Sequence, residues 1–93
     1  MFKCVIHIYG LPREVSTLQE VEVELKDGAG MEAVIAALRE KIPALEGQVF
    51  CKGENRLMDL FKFNINGHFY FDGMDFQLQD GDRIALLMPI TGG

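Results

Sequence analysis

Two stretches near the start of the chain alternate between apolar and polar residues with the period of a β-strand. In "FKCVIHIY", residues 2–9, every second residue is apolar and one face holds Phe2, Cys4, Ile6 and Ile8. In "EVEVEL", residues 20–25, the valines and the leucine alternate strictly with three glutamates, which is typical of a strand with one solvated face. Because Gly10 and Pro12 interrupt the stretch between them, we predict an antiparallel pair joined by a long irregular loop.

The next segment has the period of a helix. In "MEAVIAALREKI", residues 31–42, the apolar positions at helical spacing are Met31, Val34, Ile35, Leu38 and Ile42. Acidic Glu32 lies in the first turn and basic Arg39 near the end, the order that complements the helix dipole. Pro43 prevents continuation. No serine or aspartate precedes Met31, so Gly30 is predicted to be the N-cap.

The second half of the chain predicts strands joined by turns. A short strand is predicted around residues 48–50 in an otherwise irregular stretch. In "FKFNINGHFYF", residues 61–71, Phe61, Phe63 and Ile65 share one face, and Asn66-Gly67 is a strong signal for a tight hairpin turn. "RIALLM", residues 83–88, is apolar on both faces, which is typical of a central strand.

The order strand, strand, helix, strand, short strand, strand predicts an α+β fold of the β-grasp (ubiquitin-like) type. We expect a mixed sheet of four to five strands with one main helix packed on one face, and the last strand parallel to the first. With 93 residues the chain is expected to form one domain, residues 1–88, followed by an extended, flexible arm, residues 89–93.

Composition narrows the function classes. The net charge is -5 and the nine basic residues are scattered, which disfavours nucleic acids and anionic membranes as partners. The acidity suits a basic protein partner, and it is equally compatible with a simple role in solubility. No apolar run approaches the roughly 20 residues that span a bilayer. A cytoplasmic location is expected, with Cys4 and Cys51 reduced.

Several residues with chemical potential are interpreted as structural. Glu20, Glu22 and Glu24 are taken as the solvated side of a strand, and no metal site is predicted. The aspartates at 72, 75, 80 and 82 do not match a calcium loop and are taken as turn formers. His7 and His68 have no evident catalytic partners, and Cys51 as a redox-active thiol is a minor alternative.

The last stretch carries a resemblance to a known family. "DGDRIALLMPITGG", with its Gly-Asp turn, apolar strand, proline and final Gly-Gly, resembles the C-terminal signature of the ubiquitin-like sulfur carriers of the MoaD and ThiS superfamily. "MEAVIAALREKIPALEGQVF" is similar to the family's helix followed by Pro-Ala-Leu. Two positions depart from the pattern: Met88 precedes a single proline, and Arg83 stands where an acidic residue is frequent. The stretch "CKGENRLMDL" is longer than in thiamine-pathway carriers, so the chain is more similar to the molybdopterin synthase small subunit and its archaeal or cysteine-pathway relatives.

The resemblance implies a carrier without a stand-alone active site or a permanently bound cofactor. A MoeB- or ThiF-like partner would use ATP and Mg²⁺ to adenylate the Gly93 carboxyl, which would then become a thiocarboxylate. A larger, MoaE-like subunit of molybdopterin synthase would take the sulfur. Gly92 and Gly93 are the predicted reacting end, and the arm that sets partner choice comprises Pro89, Ile90 and Thr91.

A partner also needs a docking surface, and the outer face of the sheet is the candidate, with Val5, Tyr9, Phe63 and Leu87. Loops covering this face are the competing interpretation. Three other functions stay open: a ubiquitin-like modifier joined to target lysines through Gly93, a carrier serving thiamine, cysteine or tRNA thiolation, and a β-grasp interaction module whose glycines are incidental.

Overall fold

A computed structural model describes residues 1–9, 20–70 and 74–87. Its elements in chain order are β1 (Phe2–Ile8), β2 (Glu20–Leu25), α1 (Met31–Lys41), a short 3-10 helix (Pro43–Leu45), β3 (Lys62–Ile65), β4 (His68–Tyr70) and β5 (Ile84–Leu87). The predicted strands at both ends of the chain and the amphipathic helix are confirmed. The predicted arm, residues 89–93, lies outside the described residues.

The five strands form one mixed sheet in the order β2-β1-β5-β3-β4. β5 pairs in parallel with β1, with Ile6 opposite Ile84, and in antiparallel with β3. The last strand is therefore central, as its two apolar faces predicted. Together with the initial β1–β2 hairpin and α1, this topology confirms the β-grasp fold.

The core lies between α1 and one face of the sheet. The helix buries Met31, Val34, Ile35 and Leu38, the apolar positions of its inward side. The strands β1, β2, β3 and β5 each bury alternate residues, and β2 shows the pattern most clearly, since its glutamates are exposed and its valines and leucine are buried. A fully buried valine, leucine, isoleucine or phenylalanine contributes about 1.5–3 kcal/mol. The burial of one side of these four strands therefore fixes their register.

The strand predicted around residues 48–50 is wrong. Val49 and Phe50 are completely buried, but they lie in a turn after the 3-10 helix, and Phe50 makes only isolated bridges to Glu46 and Leu57. Gly47, with φ of 81°, adopts the left-handed conformation that bends the chain there. The apolar residues that suggested a strand fill the core from a turn instead.

Arg39 of α1 anchors this irregular segment. Its Nε lies 2.9 Å from Glu46 Oε2, an ion pair in which the N–H is not aligned for a hydrogen bond. The guanidinium also donates hydrogen bonds to the Asn55 side chain and the Glu54 carbonyl, and its carbon lies 5.8 Å from the Phe50 ring centroid. One side chain thus connects the helix to a segment without regular structure.

The predicted hairpin turn between β3 and β4 is confirmed. Asn66 (φ 53°) and Gly67 (φ 92°) both have positive φ, as a tight turn of the type I′ class requires. Asn66 also accepts a hydrogen bond from the Arg83 backbone N–H (2.9 Å) and donates one to the Arg83 carbonyl (3.0 Å). The turn therefore fixes the start of β5 as well.

The N-terminus of α1 is capped from a distant part of the chain. Gly30 is the N-cap, as predicted, and offers no side chain of its own. Asp75 Oδ1 accepts hydrogen bonds from the backbone N–H groups of Met31 (2.9 Å) and Phe76 (2.8 Å). These bonds hold the pKa of Asp75 below its ordinary value. A β-carbon at Gly30 would lie 2.7 Å from Asp75 Oδ1, so any other residue there would displace the Asp75 carboxylate.

Candidate functional site

The candidate site is the face of the sheet opposite α1, which we call the open sheet face. Its members among the described residues are Lys3, Val5, His7, Tyr9, Glu20, Glu22, Glu24, Lys62, Asn64, Phe69, Ala85 and Leu87. Three large apolar residues there are strongly exposed: Val5 (39%), Tyr9 (57%) and Phe69 (50%). Exposed apolar groups collected on one face are typical of an interaction surface.

Strand register places these side chains in rows. One row crosses all five strands, from Glu20 through His7, Ala85 and Asn64 to Phe69. Neighbours within such a row have β-carbons about 4.5–5.5 Å apart, so they present a continuous surface to a partner.

Two further contacts shape the part of this face around β1. The rings of His7 and Tyr9 stack with centroids 6.4 Å apart, and His7 Nδ1 lies 3.5 Å from Glu20 Oε1. In the neighbouring row, Val5 lies opposite Glu22. Apolar and acidic groups therefore meet along the boundary between β1 and β2.

Of the four residues predicted to form the docking surface, Val5 and Tyr9 lie exposed on the open sheet face and Leu87 is half-buried there. Phe63 was assigned to the wrong face. It is fully buried, lies opposite Leu86, and its ring packs edge-on against Phe76 with centroids 5.9 Å apart.

Phe69 is the aromatic residue of the hairpin that the open sheet face does present, and the sequence analysis missed it. It lies opposite Asn64, which alternates with buried Phe63 and Ile65. The two-residue Asn66-Gly67 turn could have identified it. Such a turn places Phe69 opposite Asn64, and residues opposite each other on paired strands share a face.

The last described residue before the predicted arm, Leu87, belongs to this face. It ends β5, and next to it the Tyr9 backbone N–H donates a hydrogen bond to the Leu86 carbonyl (2.9 Å). Gly92, Gly93, Pro89, Ile90 and Thr91 themselves lie outside the described residues.

The described part of the chain offers little other chemistry. Within residues 1–9, 20–70 and 74–87, no group of three His, Cys, Asp or Glu side chains could hold a metal ion. Cys4 is buried, and burial together with the nearby Asp82 and Asp80 raises the pKa of its thiol. Cys51 is half-buried, with Sγ 3.9 Å from the Leu57 carbonyl. In the same ranges, no helix has the length and apolar character needed to cross a bilayer.

Comparison with known proteins identifies the family. The model of the ThiS family matches residues 6–93, which include the final Gly-Gly. The chain belongs to the ThiS family.

Individual relatives agree with this membership. The chain is 31% identical, over 81 residues, to a molybdopterin synthase sulfur carrier subunit of Chlamydomonas reinhardtii, with 87% of each chain covered. Its fold matches the small archaeal modifier protein 1 of Haloferax volcanii with a TM-score of 0.78 and 26% identity, over 97% of this chain and 100% of that one.

A third match concerns the fold alone. Molybdopterin-converting factor of Helicobacter pylori, solved as a complex of subunits 1 and 2, matches with a TM-score of 0.59 and 17% identity, over 99% of this chain and 100% of the matched one.

Proposed function

We propose that this member of the ThiS family is a sulfur carrier whose Gly93 carboxyl becomes a thiocarboxylate, and that it serves molybdopterin synthesis. The observation that carries the proposal is the family match through residue 93, which includes the glycine pair, on a domain with the β-grasp topology. The name of the Chlamydomonas relative, a molybdopterin synthase sulfur carrier subunit, supports the choice of pathway.

The proposed chemistry has two steps before sulfur delivery. The Gly93 carboxylate attacks the α-phosphate of ATP, which forms an acyl-adenylate and releases pyrophosphate. Hydrosulfide (HS⁻) then attacks the acyl carbon, AMP leaves, and loss of a proton gives the C-terminal thiocarboxylate. An adenylating enzyme of the MoeB or ThiF type catalyses the first step, with Mg²⁺ neutralising the phosphates. ATP and Mg²⁺ are thus reagents of the partner, and the carrier itself supplies only the carboxyl group.

Glycine suits the reacting end for steric reasons. Without a β-carbon, Gly92 and Gly93 can enter a narrow channel, adopt backbone angles closed to other residues and leave the acyl carbon open to attack. Pro89 restricts φ at the start of the arm and so stiffens it. Ile90 and Thr91 then contact the walls of the partner's channel and contribute to partner choice.

Sulfur delivery requires a second protein, the larger catalytic subunit of molybdopterin synthase. The H. pylori neighbour, solved as a complex of two converting-factor subunits, supports an assembly of this kind. In the proposed assembly the arm enters the larger subunit and the open sheet face contacts its surface. A cycle that consumes ATP and keeps sulfur reduced is suited to the cytoplasm.

The adenylation step can be tested with an adenylating enzyme from the same organism. We expect the chain to support exchange of labelled pyrophosphate into ATP, because acyl-adenylate formation is reversible. A variant lacking Gly92 and Gly93 is the matched control, since it keeps the whole described domain. Equal exchange with the two chains, or none with an enzyme that activates another substrate, contradicts the proposal.

The likeness to a small archaeal modifier protein favours a second candidate, a modifier that forms an amide bond between Gly93 and target lysines. Both candidates begin with the same adenylate and differ in the product. Lysine adducts on other proteins, found by mass spectrometry in cells producing the chain, would identify a modifier. A free chain that carries a thiocarboxylate would identify a carrier.

A further inference from the structure

The open sheet face has an apolar centre and an acidic border. Glu20, Glu22 and Glu24 are exposed along β2, which is an edge strand of the sheet. Alternate residues on a strand are about 7 Å apart, so the three carboxylates form a row along that edge. The adjoining strand β1 presents the exposed Val5, and the residue that follows β1 is the exposed Tyr9.

The three carboxylates differ in their neighbours. Glu20 lies 3.5 Å from His7 Nδ1, and Glu24 is opposite Lys3 without forming an ion pair within the described residues. Glu22 is opposite Val5, and no described cation lies within ion-pair distance of it. A protein that covers Val5 must therefore also remove water from around Glu22.

Removal of water from a carboxylate is unfavourable unless a cation or hydrogen-bond donor replaces it. An apolar partner surface without basic groups would leave Glu22 and Glu24 uncompensated, and an acidic one would be repelled. A surface with lysine or arginine beside its apolar centre compensates both. The net charge of -5 attracts such a surface during diffusion as well.

From these observations we infer that the open sheet face docks a protein whose apolar patch is bordered on one side by basic side chains, which pair with the glutamate row of β2. The inference rests on the proposed function, because it describes the surface that receives the carrier. Apolar contact supplies affinity, and the charged border fixes orientation. With β2 on one side of the face and β5 ending beside Tyr9, a single orientation directs the arm toward the partner's active site.

Acidic side chains on an edge strand also protect it from pairing with other strands. That role and the docking role predict different results. Protection of the edge affects self-association and does not depend on the charge of a partner. Docking predicts a specific loss of affinity when the row is neutralised.

The test uses the full chain and the purified larger subunit of molybdopterin synthase from the same organism, with binding measured by calorimetry at about 50 and 300 mM NaCl. The double variant Glu22→Gln/Glu24→Gln removes two charges from the row. The matched control Glu32→Gln/Glu54→Gln also removes two exposed charges, one from the first turn of α1 and one from the segment that Arg39 of α1 contacts, both away from the row. Melting temperatures of all three chains confirm that each is folded.

We expect the row variant to bind about tenfold more weakly than wild type at low salt and to lose most of its salt dependence. The control variant should stay within about twofold of wild type. Equal weakening by the two variants, or none by either, overturns the inference while leaving the carrier function intact. Failure of the wild-type chain to bind at either salt concentration overturns the proposed assembly itself, and the inference with it.

Discussion

Removal of the Asp75 carboxylate should weaken the attachment of α1 to the rest of the domain. Asp75 lies 44 residues after Met31, yet its Oδ1 accepts hydrogen bonds from the backbone N–H groups of Met31 and Phe76 at 2.9 and 2.8 Å. The N–H groups in the first turn of a helix have no partner within the helix. Asp75 therefore satisfies one of them and places a negative charge at the positive end of the helix dipole.

The free energy lost in Asp75→Ala depends on the value of a helix cap and on the exposure of the carboxylate. Loss of an N-terminal cap costs about 0.5–2 kcal/mol, and hydrogen bonds to a charged group contribute about 1.5–3 kcal/mol when shielded from solvent. Asp75 is exposed, so water replaces part of what a variant loses. We expect Asp75→Ala to lower the free energy of unfolding by about 1–1.5 kcal/mol at pH 7, which corresponds to a fall in melting temperature of about 4–12 °C for a domain of this size.

The pH dependence separates the charge from the hydrogen bonds. The pKa of Asp75 is lower in the folded chain than in the unfolded one, so its contribution is complete above the unfolded value of about 3.9 and is lost as pH falls through the folded value. The stability gap between wild type and Asp75→Ala should therefore be constant from pH 7 to about 5 and should narrow as pH falls below the unfolded value of about 3.9. Asp75→Asn keeps an acceptor oxygen but no charge, so its stability should lie between the two.

Urea denaturation followed by circular dichroism at several pH values measures these differences. A Gln79→Ala variant, which changes an exposed side chain in the same loop, serves as the control. The reasoning is refuted if Asp75→Ala unfolds at the wild-type urea concentration at pH 7, or if its deficit persists unchanged at low pH.

Three further predictions concern the same framework. Gly30→Ala should destabilise the wild type by about 1 kcal/mol, because its β-carbon would displace the Asp75 carboxylate, and it should destabilise the Asp75→Ala variant less. A double-mutant cycle of unfolding free energies measures this difference, and additive effects would contradict the contact. In urea denaturation, Phe63→Ala should lower the free energy of unfolding by about 3–5 kcal/mol and Phe69→Ala by less than about 1 kcal/mol. Equal losses for the two variants would contradict the assignment of Phe63 to the core face and Phe69 to the open sheet face. Arg39→Lys should lower the free energy of unfolding almost as much as Arg39→Ala, by about 1–3 kcal/mol, because one ammonium group cannot contact Glu46, the Asn55 side chain and the Glu54 carbonyl at once. Thermal unfolding measures this loss, and a lysine variant as stable as wild type would contradict the reasoning.

Short sequence patterns were sufficient to predict the strands and turns whose conformation depends mainly on their own residues. Strict alternation defined β2, and Asn66-Gly67 defined a turn because both positions need positive φ. The sequence of β5 is apolar on both faces, which correctly indicated a central strand. In the sheet β5 lies between β1 and β3. For β2 and the hairpin turn, the deciding residues are those of the signal itself, whereas the place of β5 in the sheet depends on its pairing with β1 and β3.

The errors arose where a contact between distant segments decides the outcome. Alternation showed that Phe63 and Ile65 share a face, but which face α1 covers depends on the pairing of β3 with β5. The cap that Asp75 provides could not be predicted, because nothing local to Met31 indicates a carboxylate 44 residues away. Residues 48–50 looked like a strand because burial favours the same apolar residues in a turn that packs into the core.

The most direct test of the carrier function is the intact mass of the chain after incubation with an adenylating enzyme from its own organism, ATP, Mg²⁺ and sulfide. Replacement of one oxygen by sulfur should raise the mass by about 16 Da, and fragmentation should place the change at Gly93. The variant without Gly92 and Gly93 should stay unchanged under the same conditions. An unchanged mass for the full chain, with an enzyme shown to activate another carrier, would contradict the assignment of a sulfur carrier.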